Sequence, residues 1–138
     1  RKNAGAVAVN HDGAFLAGDL ITRMASTGAG TTDEGGALSF DGNAALDGVT
    51  VDDTFTVNNI NTSTADSLND KGGDVLIENY AAVTINGDLN AKGSTSTGGS
   101  GNPGGRGGNV TITGITGDIL IGGTINLTGE RTDTKGDL

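Results

Sequence analysis

The chain has 138 residues, of which 26 are glycine and none is cysteine or tryptophan. Its formal net charge of −9 argues against nucleic acid or an anionic membrane surface as a partner, because both bind basic faces. The length suits one domain, 3% aromatic residues are too few for a core of large rings, and no apolar run is long enough for a membrane-spanning helix.

The first predicted strand of each repeat lies in a six-residue phrase that recurs four times. The copies are AGAVAV at 4–9, GGALSF at 35–40, GGDVLI at 72–77 and GGNVTI at 107–112. Apolar and polar positions alternate, which is the period of a strand with one buried face. The inward column predicted from these phrases consists of Val7, Leu38, Val75 and Val110.

A second phrase follows each copy of the first. Aligned without gaps, it reads AFLAGDLIT at 14–22, VTVDDTFTV at 49–57, VTINGDLNA at 83–91 and ILIGGTINL at 119–127. Gly18, Gly87 and Gly123 share one position, with Asp53 as the exception, and this position predicts a corner between two short strands. The inward columns predicted on either side of it are Leu16, Val51, Ile85 and Ile121, and then Leu20, Phe55, Leu89 and Ile125.

Segments rich in Ser, Thr and Gly separate one repeat from the next, at 23–34, 58–71, 92–106 and 128–135. We predict that they are loops leaving the stack at one corner. The repeats then define a single all-β domain over 1–138, a parallel β-helix (β-solenoid) with about four rungs of roughly 35 residues and three short strands each. The predicted rungs are 4–34, 35–71, 72–106 and 107–135, with the start of a fifth at 136–138.

The best-preserved copies are GGDVLIENYAAVTINGDLNAKG at 72–93 and GGNVTITGITGDILIGGTINLTG at 107–129. Their phrasing resembles the filamentous-haemagglutinin-type repeats of bacterial secreted adhesins, including two-partner-secreted adhesins and autotransporter passengers. The resemblance implies a right-handed β-helix that is secreted or displayed on the cell surface, where it serves adhesion or forms a filament. Host-cell or matrix glycans are the ligands that such a role suggests.

Residues that could support catalysis are sparse. His11 is the single histidine, and without cysteine or a second histidine the chain cannot form a zinc site or a Cys/His pair. We therefore expect a surface role for His11, no enzyme activity and no cofactor. The rival interpretation is a non-catalytic fragment of a carbohydrate-active β-helix enzyme, such as a polysaccharide lyase or hydrolase. Asp33 and Asp70 are the candidates for calcium ligands.

The ends of the chain suggest its partners. It starts almost at a strand and stops inside the fifth copy of the first phrase, with no polar capping repeat at either end. We expect open strand edges that pair with further copies of the same repeat, either in a longer parent chain or by head-to-tail stacking.

Overall fold

The computed structural model of the chain describes residues 4–24, 34–42, 53–64, 70–94 and 105–129. In these ranges the chain forms twelve short strands and no helix. The strands are β1 (Val7–Asn10), β2 (Phe15–Leu16), β3 (Leu20–Ile21), β4 (Leu38–Asp41), β5 (Thr54–Val57), β6 (Ile60–Asn61), β7 (Val75–Glu78), β8 (Ala82–Ile85), β9 (Leu89–Asn90), β10 (Val110–Thr113), β11 (Ile119–Ile121) and β12 (Ile125–Asn126).

The strands pair into three parallel sheets of four. Sheet 1 has the order β1-β4-β7-β10, sheet 2 the order β2-β5-β8-β11, and sheet 3 the order β3-β6-β9-β12. Each sheet therefore takes one strand from each of four rungs: rung 1 is β1–β3, rung 2 is β4–β6, rung 3 is β7–β9 and rung 4 is β10–β12. The predicted parallel β-solenoid of about four rungs is confirmed.

The first phrase of each repeat forms sheet 1. The strand register stacks Val7, Leu38, Val75 and Val110 directly above one another, as the alternation of the phrases predicts. Leu38, Val75 and Val110 are buried, while Val7 in rung 1 is 41% exposed. The column thus continues to the outer edge of rung 1, where no described strand covers it.

The ungapped alignment of the second phrase is wrong in rung 1. Leu16 pairs with Thr56, in the column of Thr84, and its side chain is 79% exposed. The inward residue beside Val57 and Ile85 is instead Ala17, which packs against the core. The reason is a corner of variable length: from Phe15 to Leu20 the chain is one residue shorter than from Val83 to Leu89. Because side chains alternate with period 2, a shift of one residue turns Leu16 outward.

Rung 2 differs from the alignment by a larger shift. Phe55 lies between Phe15 and Val83, not in the column of Leu20 and Leu89, and the predicted place of Phe55 is taken by Ile60. Strand β6 therefore runs through a segment that was predicted to be a loop. A longer connection between β4 and β5 displaces the second phrase, and an alternating run can be aligned in several registers. Val51 lies outside the described residues.

In rungs 3 and 4, the columns of sheets 2 and 3 agree with the alignment. Ile121 stacks on Ile85, and Ile125 stacks on Leu89, which in turn lies over Ile60. Ile85 and Leu89 are fully buried. The extra corner residue is shared by rungs 3 and 4, so their second phrases align without a gap.

A pair of glycines precedes the first strand of rungs 2, 3 and 4, beside the end of sheet 3. The second glycine of each pair donates its N–H to the end of sheet 3: Gly36 to Thr22, Gly73 to Thr62 and Gly108 to Ala91. A Cβ atom on Gly73 would overlap the backbone carbonyl of Gly36 below it. Only glycine permits this approach of two backbones.

Candidate functional site

The two terminal rungs carry apolar side chains that face the core and yet remain exposed. Val7 in rung 1 and Ile119 and Ile125 in rung 4 occupy inward columns, and Ile119 is 49% exposed. Strands β1–β3 and β10–β12 stand at the edges of all three sheets. Among the described residues, nothing pairs with the outer backbone edge of either rung. Such an edge is a template for a further strand.

A groove of about 280 Å³ runs along the outer surface beside sheet 3, and we call it the lateral groove. Carboxylate and amide side chains dominate its lining, with one exposed aliphatic side chain. Its lining residues are Asp19, Ile21, Asn59, Ile60, Asn61, Asp88 and Asn90. The groove spans rungs 1 to 3 along the direction of stacking.

One side of the lateral groove is a column of corner residues that are tied to one another. Nδ2 of Asn59 donates to Oδ1 of Asp19 at 2.8 Å, and the backbone N–H of Asp88 donates to Oδ1 of Asn59 at 2.8 Å. Oδ1 of Asp88 in turn accepts the backbone N–H of Thr124 at 2.8 Å. Each of the two carboxylates uses Oδ1 in this ladder, so Oδ2 is left for a ligand or for water.

The other side is a column of asparagines on the outer face of sheet 3: Asn61, Asn90 and, beyond the groove, Asn126. Oδ1 of Asn61 accepts the backbone N–H of Ser63 at 3.1 Å, and Oδ1 of Asn90 accepts that of Lys92 at 3.2 Å. This bond to the backbone fixes the orientation of each side-chain amide, and the Nδ2 donor takes no part in it.

A second polar cluster lies at the corner between sheets 1 and 2. The ring of Tyr80, in rung 3, packs over Gly42 of rung 2, and its hydroxyl lies 2.7 Å from Nε2 of His11 in rung 1. Burial raises the pKa of the Tyr80 hydroxyl well above its ordinary value, and the negative charges of Asp41 and Asp53 raise it further. His11 is therefore a partly buried partner of Tyr80, not the surface residue that the sequence suggested.

Asp53 belongs to this same corner. The alignment placed it with Gly18 and Gly87, whereas the structure places it immediately before β5, where its carbonyl accepts the N–H of Ala81. Its side chain is fully buried, Oδ1 accepts the N–H of Gly13 at 2.6 Å, and Oδ2 has no hydrogen-bond partner among the described residues. No sequence signal pointed to this cluster, because its members lie up to 69 positions apart.

Only one of the two predicted calcium ligands, Asp70, lies among the described residues. Asp33 lies outside the described residues. Asp70 is buried beside Ser94, whose N–H donates to the carbonyl of Asp70 at 3.1 Å. In the part of the chain that the structure describes, no three acidic or histidine side chains are grouped closely enough to hold a metal ion. The calcium site predicted at Asp33 and Asp70 therefore stays a prediction.

Comparisons with protein-family models, with curated proteins and with solved structures found no match for this chain. Across the described ranges, no helix has the length and apolar character needed to cross a membrane.

Proposed function

We propose that this chain is a structural and adhesive solenoid segment of a secreted or cell-surface protein, whose terminal rungs stack on further rungs. Those further rungs belong either to a longer chain or to another copy. The observation that carries the proposal is the exposure of inward residues at both ends: Val7 in rung 1, and Ile119 and Ile125 in rung 4. The adhesin-like phrases at 72–93 and 107–129 support the extracellular setting.

The residues of the two end rungs are suited to each other. If rung 1 of one copy follows rung 4 of another in register, Phe15 covers Ile119 and Leu20 covers Ile125. Both pairs are apolar and keep the columns of sheets 2 and 3 unbroken. The corners of these two rungs differ by one residue, but the same difference exists between rungs 2 and 3 and is accommodated there.

Gly5 supports an additional rung below rung 1. It precedes Gly36, Gly73 and Gly108 in one column, and a Cβ on any of these three would overlap the carbonyl of the rung beneath it. A Cβ on Gly5 would meet nothing within 4 Å. Gly5 therefore leaves the space at its Cβ position that a carbonyl of a preceding rung would occupy.

A stack of this kind is heterologous, because one end face meets the opposite end face of the next copy. Heterologous contacts that do not close on themselves produce filaments. Each aliphatic side chain that becomes fully buried contributes about 1.5–3 kcal/mol. The net charge of −9 opposes association, so assembly should be favoured by salt that screens this repulsion.

The test compares two adjacent residues of β11 with opposite orientations. Ile119 faces inward and is 49% exposed, while Leu120 faces outward and is 58% exposed. Sedimentation velocity and electron microscopy at increasing protein concentration should show filaments or growing oligomers of the unmodified chain. Ile119→Lys should stay monomeric, and Leu120→Lys should assemble normally. Monodisperse unmodified protein at every concentration and salt level would overturn stacking between separate copies and leave only rungs of a longer chain. Equal assembly of both variants would overturn the assignment of the end rungs as the contact.

The proposed role is non-catalytic. Cleavage of a polysaccharide by the purified chain, abolished by substitution of one aspartate, would favour the carbohydrate-active enzyme instead.

A further inference from the structure

We propose that the lateral groove binds an uncharged oligosaccharide, using its corner carboxylates as hydrogen-bond acceptors and its asparagine amides as donors. The inference gives the proposed surface role a ligand and a site. It does not depend on end-to-end stacking, because the groove lies on the side of the solenoid and is formed by rungs 1 to 3.

The two columns of the groove present different hydrogen-bonding groups, acceptors in one and donors in the other. The corner column presents Oδ2 of Asp19 and of Asp88, since Oδ1 of each is occupied in the ladder. The outer-face column presents Nδ2 of Asn61 and of Asn90, since Oδ1 of each is held by the backbone. A sugar hydroxyl is both a donor and an acceptor, so it can donate to a carboxylate while accepting from an amide.

These groups are held in place before any ligand arrives. Asn59 fixes the corner column by donating to Asp19 and accepting from Asp88, and backbone N–H groups hold the amides of Asn61 and Asn90. A preorganised site loses little side-chain entropy on binding. Ile21, which is 63% exposed at one end of the groove, supplies an apolar surface for the C–H face of a sugar ring.

Other ligand classes fit the groove less well. Asp19 and Asp88 are separated by a full rung, hence by roughly 10 Å, so their carboxylates cannot share a calcium ion with ligand distances near 2.4 Å. An acidic polysaccharide or a nucleic acid would meet two carboxylates and a chain of net charge −9. An extended peptide has a better site at the open strand edges, where it can pair through its backbone.

The experiment uses the full chain and two substitutions that keep the structural hydrogen bonds. Asp88→Asn retains Oδ1 for Thr124 and replaces a carboxylate acceptor by an amide donor. Asn90→Asp retains Oδ1 for Lys92 and replaces the amide donor by a carboxylate acceptor. The matched controls are Asp118→Asn and Asn86→Asp, which make the same two changes at exposed corner positions outside the groove.

Binding is measured by two-dimensional NMR with uncharged hexasaccharides of glucose and of mannose as probes. The side-chain amide signals of Asn61 and Asn90 should shift, and each groove variant should weaken binding about tenfold while each control retains it. Three results would overturn the inference: no shift with any uncharged hexasaccharide at millimolar concentration, shifts at Asn61 and Asn90 with calcium alone, or shifts confined to the edge strands.

Failure of this site and failure of stacking are distinguishable. Ile119→Lys lies outside the lateral groove and should bind the probe sugar as the unmodified chain does, even though it does not assemble. A chain that assembles but does not bind would refute the sugar site alone.

Discussion

The hydroxyl oxygen of Tyr80 in rung 3 lies 2.7 Å from Nε2 of His11 in rung 1, across the intervening rung 2. This contact completes a cluster that includes Phe15, Phe40 and Phe55, with ring centroids 4.9–5.5 Å apart. Gly42 makes it possible, because its lack of a side chain leaves room for the tyrosine ring. Tyr80 therefore links rung 3 to rung 1 across rung 2.

Replacing Tyr80 by Phe should reduce the free energy of unfolding by about 1 kcal/mol, because His11 loses its hydrogen-bond partner while the ring packing remains. Denaturant unfolding followed by circular dichroism measures this difference. An unchanged or higher midpoint for Tyr80→Phe would mean that the contact with His11 does not stabilise the stack.

The same hydroxyl predicts a loss of stability in alkaline solution. Burial, with Asp41 and Asp53 nearby, raises the pKa of Tyr80 above its ordinary value of 10.0 in the folded chain. Below pH 10 the hydroxyl is neutral in both states, and its contribution to stability is fully present. Above pH 10 the unfolded chain releases the proton first, so stability falls by up to about 1.4 kcal/mol per pH unit. Tyr80→Phe should remove this component of the alkaline decline, and identical pH profiles for the two proteins would contradict the assignment.

The corrected register of rung 1 predicts opposite effects at neighbouring positions. Phe15 packs against Phe40 and Phe55, so Phe15→Ala should cost about 3 kcal/mol. Leu16 is 79% exposed, and Leu16→Ala should change stability by no more than about 0.5 kcal/mol. Thermal unfolding of both variants decides between this register and the ungapped alignment, which places Leu16 in the core. A larger loss of stability for Leu16→Ala than for Phe15→Ala would show that the ungapped alignment is correct in rung 1.

The buried column of sheet 2 can be tested by placing an aspartate at an inward-facing position and at an outward-facing position. Ile85 is fully buried, and Ile85→Asp should prevent folding because an unpaired carboxylate would enter the apolar core. Thr84 is its outward-facing neighbour in β8, and Thr84→Asp should leave the chain folded. Far-UV circular dichroism distinguishes the two outcomes. A folded Ile85→Asp variant of normal thermal stability would show that this position is not in the core.

Two glycines of the same column should affect folding and assembly differently when each is replaced by alanine. Gly73→Ala should destabilise the chain by about 2 kcal/mol, because the new Cβ would overlap the backbone of Gly36 and no side chain can move aside. Gly5→Ala has open space around it and should unfold at the normal temperature. The same Gly5→Ala variant should fail to stack, since a preceding rung would meet the methyl group. Normal filaments from Gly5→Ala would remove this support for a rung below rung 1.

The alternation of the repeated phrases was enough to predict the fold, the column of Val7, Leu38 and Val75, and the stacking of Ile85 and Ile121. It was not enough to predict the register where corner lengths vary. A run of alternating apolar and polar residues can be aligned with its neighbour in more than one register and still place apolar residues inward. Phe55 and Ile60 in rung 2 were misplaced for this reason. The Tyr80 cluster and the groove beside Asn61 depend on contacts between rungs, and a single sequence carries no signal for those.

Disulfide mapping across the junction between two copies tests the stacking proposal most directly. The chain has no cysteine, so Leu20→Cys and Ile125→Cys variants each carry one thiol. Stacking in register places Leu20 of one copy over Ile125 of the next, about 4.8 Å apart, within the range that a disulfide spans. Mild oxidation of an equal mixture should give mainly the mixed disulfide between the two variants. Absence of any cross-link at assembling concentrations, or equal amounts of the two same-variant dimers and the mixed one, would contradict head-to-tail stacking.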